Sequence, residues 1–274
     1  MPERYDLHTH LFTTWEQGRL SLERASRDPD YVLDAVRNAG LDGIVLANFG
    51  DYRYEQFVDS LKERKGGKYR ISKELSNALV FESDDVAVKI IKGQEVPTKH
   101  GHLLVLAQDY GTRILTDQTL LKDKEIELAA RGANASGSVV VPCHWWGFGG
   151  IGKNRLLENA ENFHAFEQFN GNYSPPSPED IEEIRTQTSL FGIATSDSHN
   201  RKDLGNGYIE IFEDLDFSSA DNLKGSLKNT LLSGEFKFEV RKRNPLASRF
   251  EHAAIIGYDV FIRRKFKLLE GIEI

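Results

Sequence analysis

Short apolar runs alternate along the chain with stretches whose hydrophobic residues fall three and four apart, the rhythms of a buried strand and of an amphipathic helix. "YDLHTH" (5–10) opens as a strand. In "DPDYVLDAVRNAG" (28–40), Val32, Leu33 and Val36 share one helical face, Asp28 or Asp30 is placed to cap the start, and Gly40 to end it. "LDGIVLANF" (41–49) reads as a buried strand, followed by a helix from about Asp51 to Lys65. "NALVFES" (77–83), "VAVKIIKGQEV" (86–96) and "GHLLVLA" (101–107) read as strands, and 117–135 as a helix. "GSVVVPCHWW" (137–146) is a strand that ends in a proline-marked turn. The alternation continues with helix 153–161, strand 164–170, helix 178–189 and strand 190–197. It closes with strand 208–213, helix 219–233, strand 235–240 and a last helix over about 245–267.

Apolar strands separated by helices predict an α/β fold whose parallel sheet is closed, or nearly closed, into a barrel. There is no internal repeat, low-complexity tract or long linker, so a single domain over 1–274 is expected, with the last helix packed as part of it.

Composition narrows the chemistry. A 39% hydrophobic and 28% charged chain is ordinary for a globular protein, and a formal charge of −7 argues against one that coats nucleic acid. Cys143 is the lone cysteine and no apolar stretch reaches the length of a membrane span, so a cytoplasmic, non-membrane protein is expected.

The histidines carry more. Two residues apart on an extended segment point the same way. His8 and His10 form such a pair at the end of the first strand, and Asp197 and His199 form another in "ATSDSHN". Glu95, His102, His144, Glu167 and Asn170 also fall at strand edges or in adjoining loops, with His100 just before His102. In a barrel, strand ends converge on one site. Imidazole and carboxylate together suit Zn²⁺, Mn²⁺ or Fe²⁺ better than Mg²⁺ or Ca²⁺, and the number of donors suits two ions, with Glu95 able to bridge them. His164 and His252 are taken as structural.

These stretches, in this order, resemble the PHP (polymerase and histidinol phosphatase) phosphoesterases. "DLHTH" is similar to the first motif of that family, and "GQEVPTKHGHLLVLA" to its Gly-x-Glu segment and the Gly-His strand after it. "VVVPCH" is similar to the apolar strand ending in His, and "ATSDSHNRKDLG" to the closing Ser-Asp-x-His. "LKNTLLSGEFKFEV" resembles the helix–Gly–strand segment that often follows. The resemblance implies a distorted barrel of seven β/α units. It implies that His8, His10, Glu95 and Asp197 hold one metal, that Glu95 bridges to a second held by His102 and His144, and that His199 belongs to a third position.

One motif departs from the pattern. Where the family has Thr-Asp-His, this chain has Ala47, Asn48 and Phe49, and "LFTTWEQG" adds no further ligand. The expected cofactor is therefore two divalent transition metals (Zn, Mn or Fe). His199 is then left to contact phosphate or move a proton, with Asp51 the alternative source of a third-site ligand.

The resemblance implies hydrolysis of a phosphomonoester, a small phosphorylated metabolite or nucleotide, by a water activated between the metals. Arg201 and His199 are the expected catalytic residues; Arg201, Lys202 and Asn170 are expected to hold the substrate. Trp145 is expected either as an aromatic wall on the substrate side or as packing at the rim. Rival readings are an amidohydrolase-like enzyme, disfavoured by Glu95 and "SDSH", and a nuclease whose basic C-terminal runs follow a backbone. A third is a non-catalytic, metal-binding regulatory module.

Overall fold

The computed structural model of the chain describes residues 2–10, 14–16, 19–21, 29–48, 53–63, 66–83, 86–111, 126–199 and 201–241. The expected ligand alternatives at 49–51 and the expected helix over 245–267 lie outside these residues.

β1 (Glu3–Thr9) is followed by a short hairpin, β2 (Thr14–Glu16) and β3 (Arg19–Ser21). α1 (Pro29–Asn38) buries Val32, Leu33, Ala35 and Val36, as their spacing predicts, and Gly40 past its end takes φ 69. β4 (Gly43–Asn48) and α2 (Arg53–Glu63) come next. A run of four strands follows: β5 (Arg70–Leu75), β6 (Ala78–Ser83), β7 (Val86–Thr98) and β8 (Gly101–Leu106). α3 (Ile126–Ala135), β9 (Val139–Pro142), α4 (Lys153–Glu158), β10 (Phe166–Asn170), α5 (Pro178–Gln187) and β11 (Gly192–Thr195) then alternate. β12 (Gly207–Ile211), α6 (Ala220–Ser233) and β13 (Phe236–Val240) end the described chain. Ser219 caps α6 by accepting the Asn222 N–H, and Gly234 ends it in the left-handed region.

The large sheet runs β13-β12-β1-β4-β7-β6-β5. The long β7 serves two neighbours in turn on one side, Val86–Ile91 pairing with β6 and Gly93–Thr98 with β8, which then pairs with β9. Both faces of its inner strands are buried. Val45 and Ala47 of β4 face a core shared with α6, whereas Ile44 and Leu46 face α1 and α2. A third core packs β8, β9 and β10 against α3, α4 and α5.

The expected closed, parallel barrel requires correction. β1, β4 and β7 are parallel, but β12 opposes β1, and β6 and β8 oppose β7. The sheet does not close into a barrel: β10 and β11 form a separate parallel pair. On one side that pair is tied to β9 by the His164 N–H, which donates to the Val140 carbonyl at 2.9 Å. On the other, a bridge between Thr9 and Ser198 and the His10 N–H bonded to the Ser198 carbonyl at 2.7 Å tie it to β1. The site described next spans these two seams.

Candidate metal centre

The side chains of His8, His10, Glu95, His102, His144, Asp197 and His199, gathered from five strand ends or the loops that follow them, come together as three overlapping groups of donors. His8, His10 and Glu95 form the first, His10, Asp197 and His199 the second, and Glu95, His102 and His144 the third. Within each, the donor atoms lie within 4.8 Å of one another. All seven residues are buried except His102, which is partly exposed.

Glu95 stands at the junction. Its Oε2 is 3.1 Å from His10 Nε2 and 3.7 Å from His8 Nε2. Its Oε1 is 2.6 Å from His102 Nδ1 and 3.0 Å from His144 Nε2. Asp197 Oδ1 lies 3.6 Å from His8 Nε2 and 3.5 Å from His10 Nε2. Asp197 and His144 both adopt positive φ, 51 and 29, conformations that aim their side chains inward just after β11 and β9.

The protonation pattern is that of a donor cluster holding protons in place of cations. Burial alone would push the Glu95 carboxyl up, yet His102, His10 and His144 hold it well below the ordinary carboxylate range. Burial would likewise lower His8, but Asp197, Glu167 and Glu95 raise it well above an ordinary imidazole; His144 is raised as well, chiefly by Glu95. Burial and the neighbouring carboxylates push the Cys143 thiol well up, so it is no nucleophile.

Two observations test whether the donors fit a metal. His8 Nδ1 lies 2.7 Å from Glu167 Oε1, so that nitrogen carries a proton and Nε2 is left as the nitrogen facing the other donors. That nitrogen meets His10 Nε2 at 3.1 Å, a contact that either a proton carried by one of the two rings or a cation between them satisfies. His144 Nδ1, in turn, is buried with no hydrogen-bond partner among the described residues. The donor set fits divalent transition metals.

The remaining expected residues fall differently. His199 is buried beside the donors, its Nδ1 3.0 Å from the Asp197 carbonyl and its ring 4.5 Å from that of His10. Arg201 and Lys202 are exposed, with the Arg201 guanidinium over the Tyr31 ring at 5.2 Å. Asn170 is fully buried, its amide donating to Glu167 Oε2 at 3.0 Å and to Asp197 Oδ2 at 3.2 Å, which is the role of a brace. Trp145 is no aromatic wall: it is buried in the third core and its indole N–H donates to the Glu167 carbonyl at 2.8 Å. The exposed aromatic of that loop is Phe148, and the Tyr173 ring lies 5.0 Å from that of His144.

Glu167 is the functional residue whose part the sequence left unassigned. It is fully buried behind His8 and His144, and its bonding partners are scattered from residue 8 to residue 195. Asp6 plays a similar part. It accepts the N–H groups of Ser196 and Gly205, each at 3.0 Å, and so joins β1 to the ends of β11 and of the loop before β12. Burial pushes its carboxyl up to about 6.

No protein-family profile matches the chain, and no curated protein matches it in sequence. Solved structures do match its fold. PsfC from Pseudomonas syringae superposes with a TM-score of 0.61 at 15% identity, covering 93% of this chain and 99% of that one. Endonuclease Q, solved with a 27-mer duplex bearing an abasic lesion at its active site, gives 0.55 at 13% identity. That match covers 88% of this chain and 58% of Endonuclease Q. A two-domain protein from Bacteroides vulgatus, described as containing a predicted PHP-like metal-dependent phosphoesterase, gives 0.51 at 16% identity, over 92% of this chain and 70% of its own. The chain therefore shares a mixed α/β fold with PHP-like proteins, with buried His, Glu and Asp groups able to hold metal. No helix among the described residues is long and apolar enough to cross a membrane.

Proposed function

We propose that the chain is a metal-dependent phosphoesterase that hydrolyses a phosphomonoester of a small metabolite or nucleotide, with two divalent transition metals, Zn, Mn or Fe, as its cofactor. The observation that carries this reading is Glu95, whose two oxygens each face a different pair of histidines. His8, His10, Glu95 and Asp197 would hold one ion, and Glu95, His102 and His144 the other. When bound, such a pair supplies fixed positive charge for phosphoryl oxygens and lowers the pKa of a water toward about 7.

The chain's own residues do the rest. His199, with Nδ1 turned to the Asp197 carbonyl, presents Nε2 as the nitrogen that takes or gives a proton. Arg201 and Lys202, just beyond it, supply cations to the ester's outer oxygens; the planar fork of Arg201 matches two of them. Burial of the donors excludes bulk water, which strengthens every charge contact inside.

The test is elemental analysis of protein purified without chelator, paired with p-nitrophenyl phosphate hydrolysis on adding Mn²⁺ or Zn²⁺. Two metals per chain and metal-dependent turnover are expected. Neither stoichiometric metal nor turnover under any added ion would instead favour a non-catalytic module. A second reading, hydrolysis at nucleic-acid ends, draws on the fold shared with Endonuclease Q. Turnover of bis(p-nitrophenyl) phosphate in preference to the monoester would select it. The charge of −7 favours the small substrate.

A further inference from the structure

We infer that Glu167 is a positioning residue that sets which nitrogen of His8 faces the metal centre and holds His144 in its unusual backbone conformation. The inference rests on reading the donor groups as a metal centre, and it assigns a role outside the donor set itself.

Glu167 is fully buried, and both of its oxygens are saturated by donors. Oε1 lies 2.7 Å from His8 Nδ1 and accepts the Thr195 hydroxyl at 2.7 Å. Oε2 accepts the His144 backbone N–H at 2.6 Å and the Asn170 amide at 3.0 Å. Two consequences follow. A carboxylate accepts, so His8 donates from Nδ1, which leaves Nε2 as the nitrogen that faces His10, Glu95 and Asp197 and is available to a metal. The bond to the His144 N–H pins a non-glycine residue at φ 29, beside the third donor group. Asn170 extends the brace to Asp197 Oδ2, so one buried carboxylate backs residues from all three groups.

Glu167→Gln tests this by symmetry of the contacts. All four partners donate to Glu167, and a glutamine must set its NH₂ against two of them. The backbone N–H of His144 cannot change role, whereas the Thr195 hydroxyl can rotate and His8 can switch tautomer. The NH₂ therefore settles against His8, whose Nε2 then carries the proton and no longer ligates.

The experiment is competitive Zn²⁺ titration against a chromophoric chelator, for the wild type, Glu167→Gln and Thr195→Val, with circular dichroism to verify folding. Glu167→Gln is expected to weaken Zn²⁺ binding by about 10- to 100-fold, and Thr195→Val, which keeps the carboxylate, by no more than about threefold. A folded Glu167→Gln that binds Zn²⁺ within about threefold of the wild type overturns the inference. Should that variant fail to fold, long-range ¹H–¹⁵N NMR of the Zn²⁺-loaded wild type decides. A proton on His8 Nδ1 supports the assignment, and its absence overturns it. Zn²⁺ bound without phosphomonoesterase turnover would sink the proposed function and leave this inference standing. Turnover with undiminished affinity in Glu167→Gln would do the reverse.

Discussion

His164 offers a sharp test of how the seam beside β10 is held. Its ring accepts the Val140 N–H at Nδ1, 3.0 Å away, while its own N–H donates to the Val140 carbonyl. The residue is buried, 5% exposed. Burial, helped by the charge of Lys228, lowers its pKa from 6.5 to about 4. Protonating Nδ1 would also break the bond from Val140. The sign follows from which state binds the proton. Below 6.5 the unfolded chain protonates this histidine and the folded chain does not, so stability is whole above 6.5 and drains as the pH falls toward 4. The full displacement is worth about 3 kcal/mol, of which about 2 kcal/mol is lost between pH 7 and pH 5. The perturbation is His164→Asn, whose amide oxygen can accept the same N–H but does not titrate. Urea unfolding of chelator-treated protein, followed by tryptophan fluorescence, gives the difference between the two proteins at each pH. Asp6, with its carboxyl raised to about 6, works in the opposite sense, because the folded state takes up that proton first. It is common to both proteins and cancels. Wild type should lose about 2 kcal/mol relative to His164→Asn on going from pH 7 to pH 5. Parallel pH curves would refute the reasoning.

Three further outcomes are expected. Lys92 is buried against Glu55 at 2.7 Å, so Lys92→Met strands a buried carboxylate and should cost about 3–5 kcal/mol in thermal or urea unfolding, most of it recovered by adding Glu55→Leu. A Cβ on Gly101 would sit 2.4 Å from the Gly150 carbonyl carbon, at φ 142, so Gly101→Ala should destabilise by more than about 1 kcal/mol, seen as a lowered Tm. The His102 N–H donates to Gly149 at the same contact, so metal content should fall with it. Because neighbouring carboxylates hold protons on His8 and His144, a cation must displace them. Zn²⁺ affinity should therefore rise with pH, with proton release on calorimetry in paired buffers; a flat profile would contradict the proton-holding cluster.

Much of this fold lies open to a reader of the sequence because its strands are buried on both faces and its helices carry one apolar stripe. "IVLA" and "VVVP" are such strands, and Val32, Leu33 and Val36 such a stripe. Strand direction is legible only in part. The four residues between "VAVKIIKGQEV" and "GHLLVLA" are too few for a parallel crossover and so already call for the antiparallel course of β8 against β7, whereas the antiparallel pairing of β12 with β1 depends on partners far apart in the chain. β5 has no signature in the sequence, because Arg70–Leu75 is mostly exposed and carries no apolar run. Spacing two apart marks His8 with His10 and Asp197 with His199, whereas Glu95, His102 and His144 show only as strand-edge residues whose part comes from the resemblance. Trp145 could not be placed, because the turn at His144 carries the next side chain into the core. Nor could the part of Glu167, whose partners come together only on folding.

One feature of the sheet bears on how the chain is made. β1, which precedes every other described strand, is an inner strand of the large sheet, with Glu3, Arg4 and Tyr5 paired against Ile211, Glu210 and Ile209. A ribosome releases this segment about two hundred residues before that partner exists, and until then one edge of β1 has no ladder to join. The contact is among the most distant in sequence that the described chain makes, the kind whose loop-closure cost slows folding. His8 lies on this strand and His10 just past its end, and the residues that back them arrive only with β10 and β11. A nascent chain thus carries His8 and His10 long before the residues of β10 and β11 that let it assemble the centre.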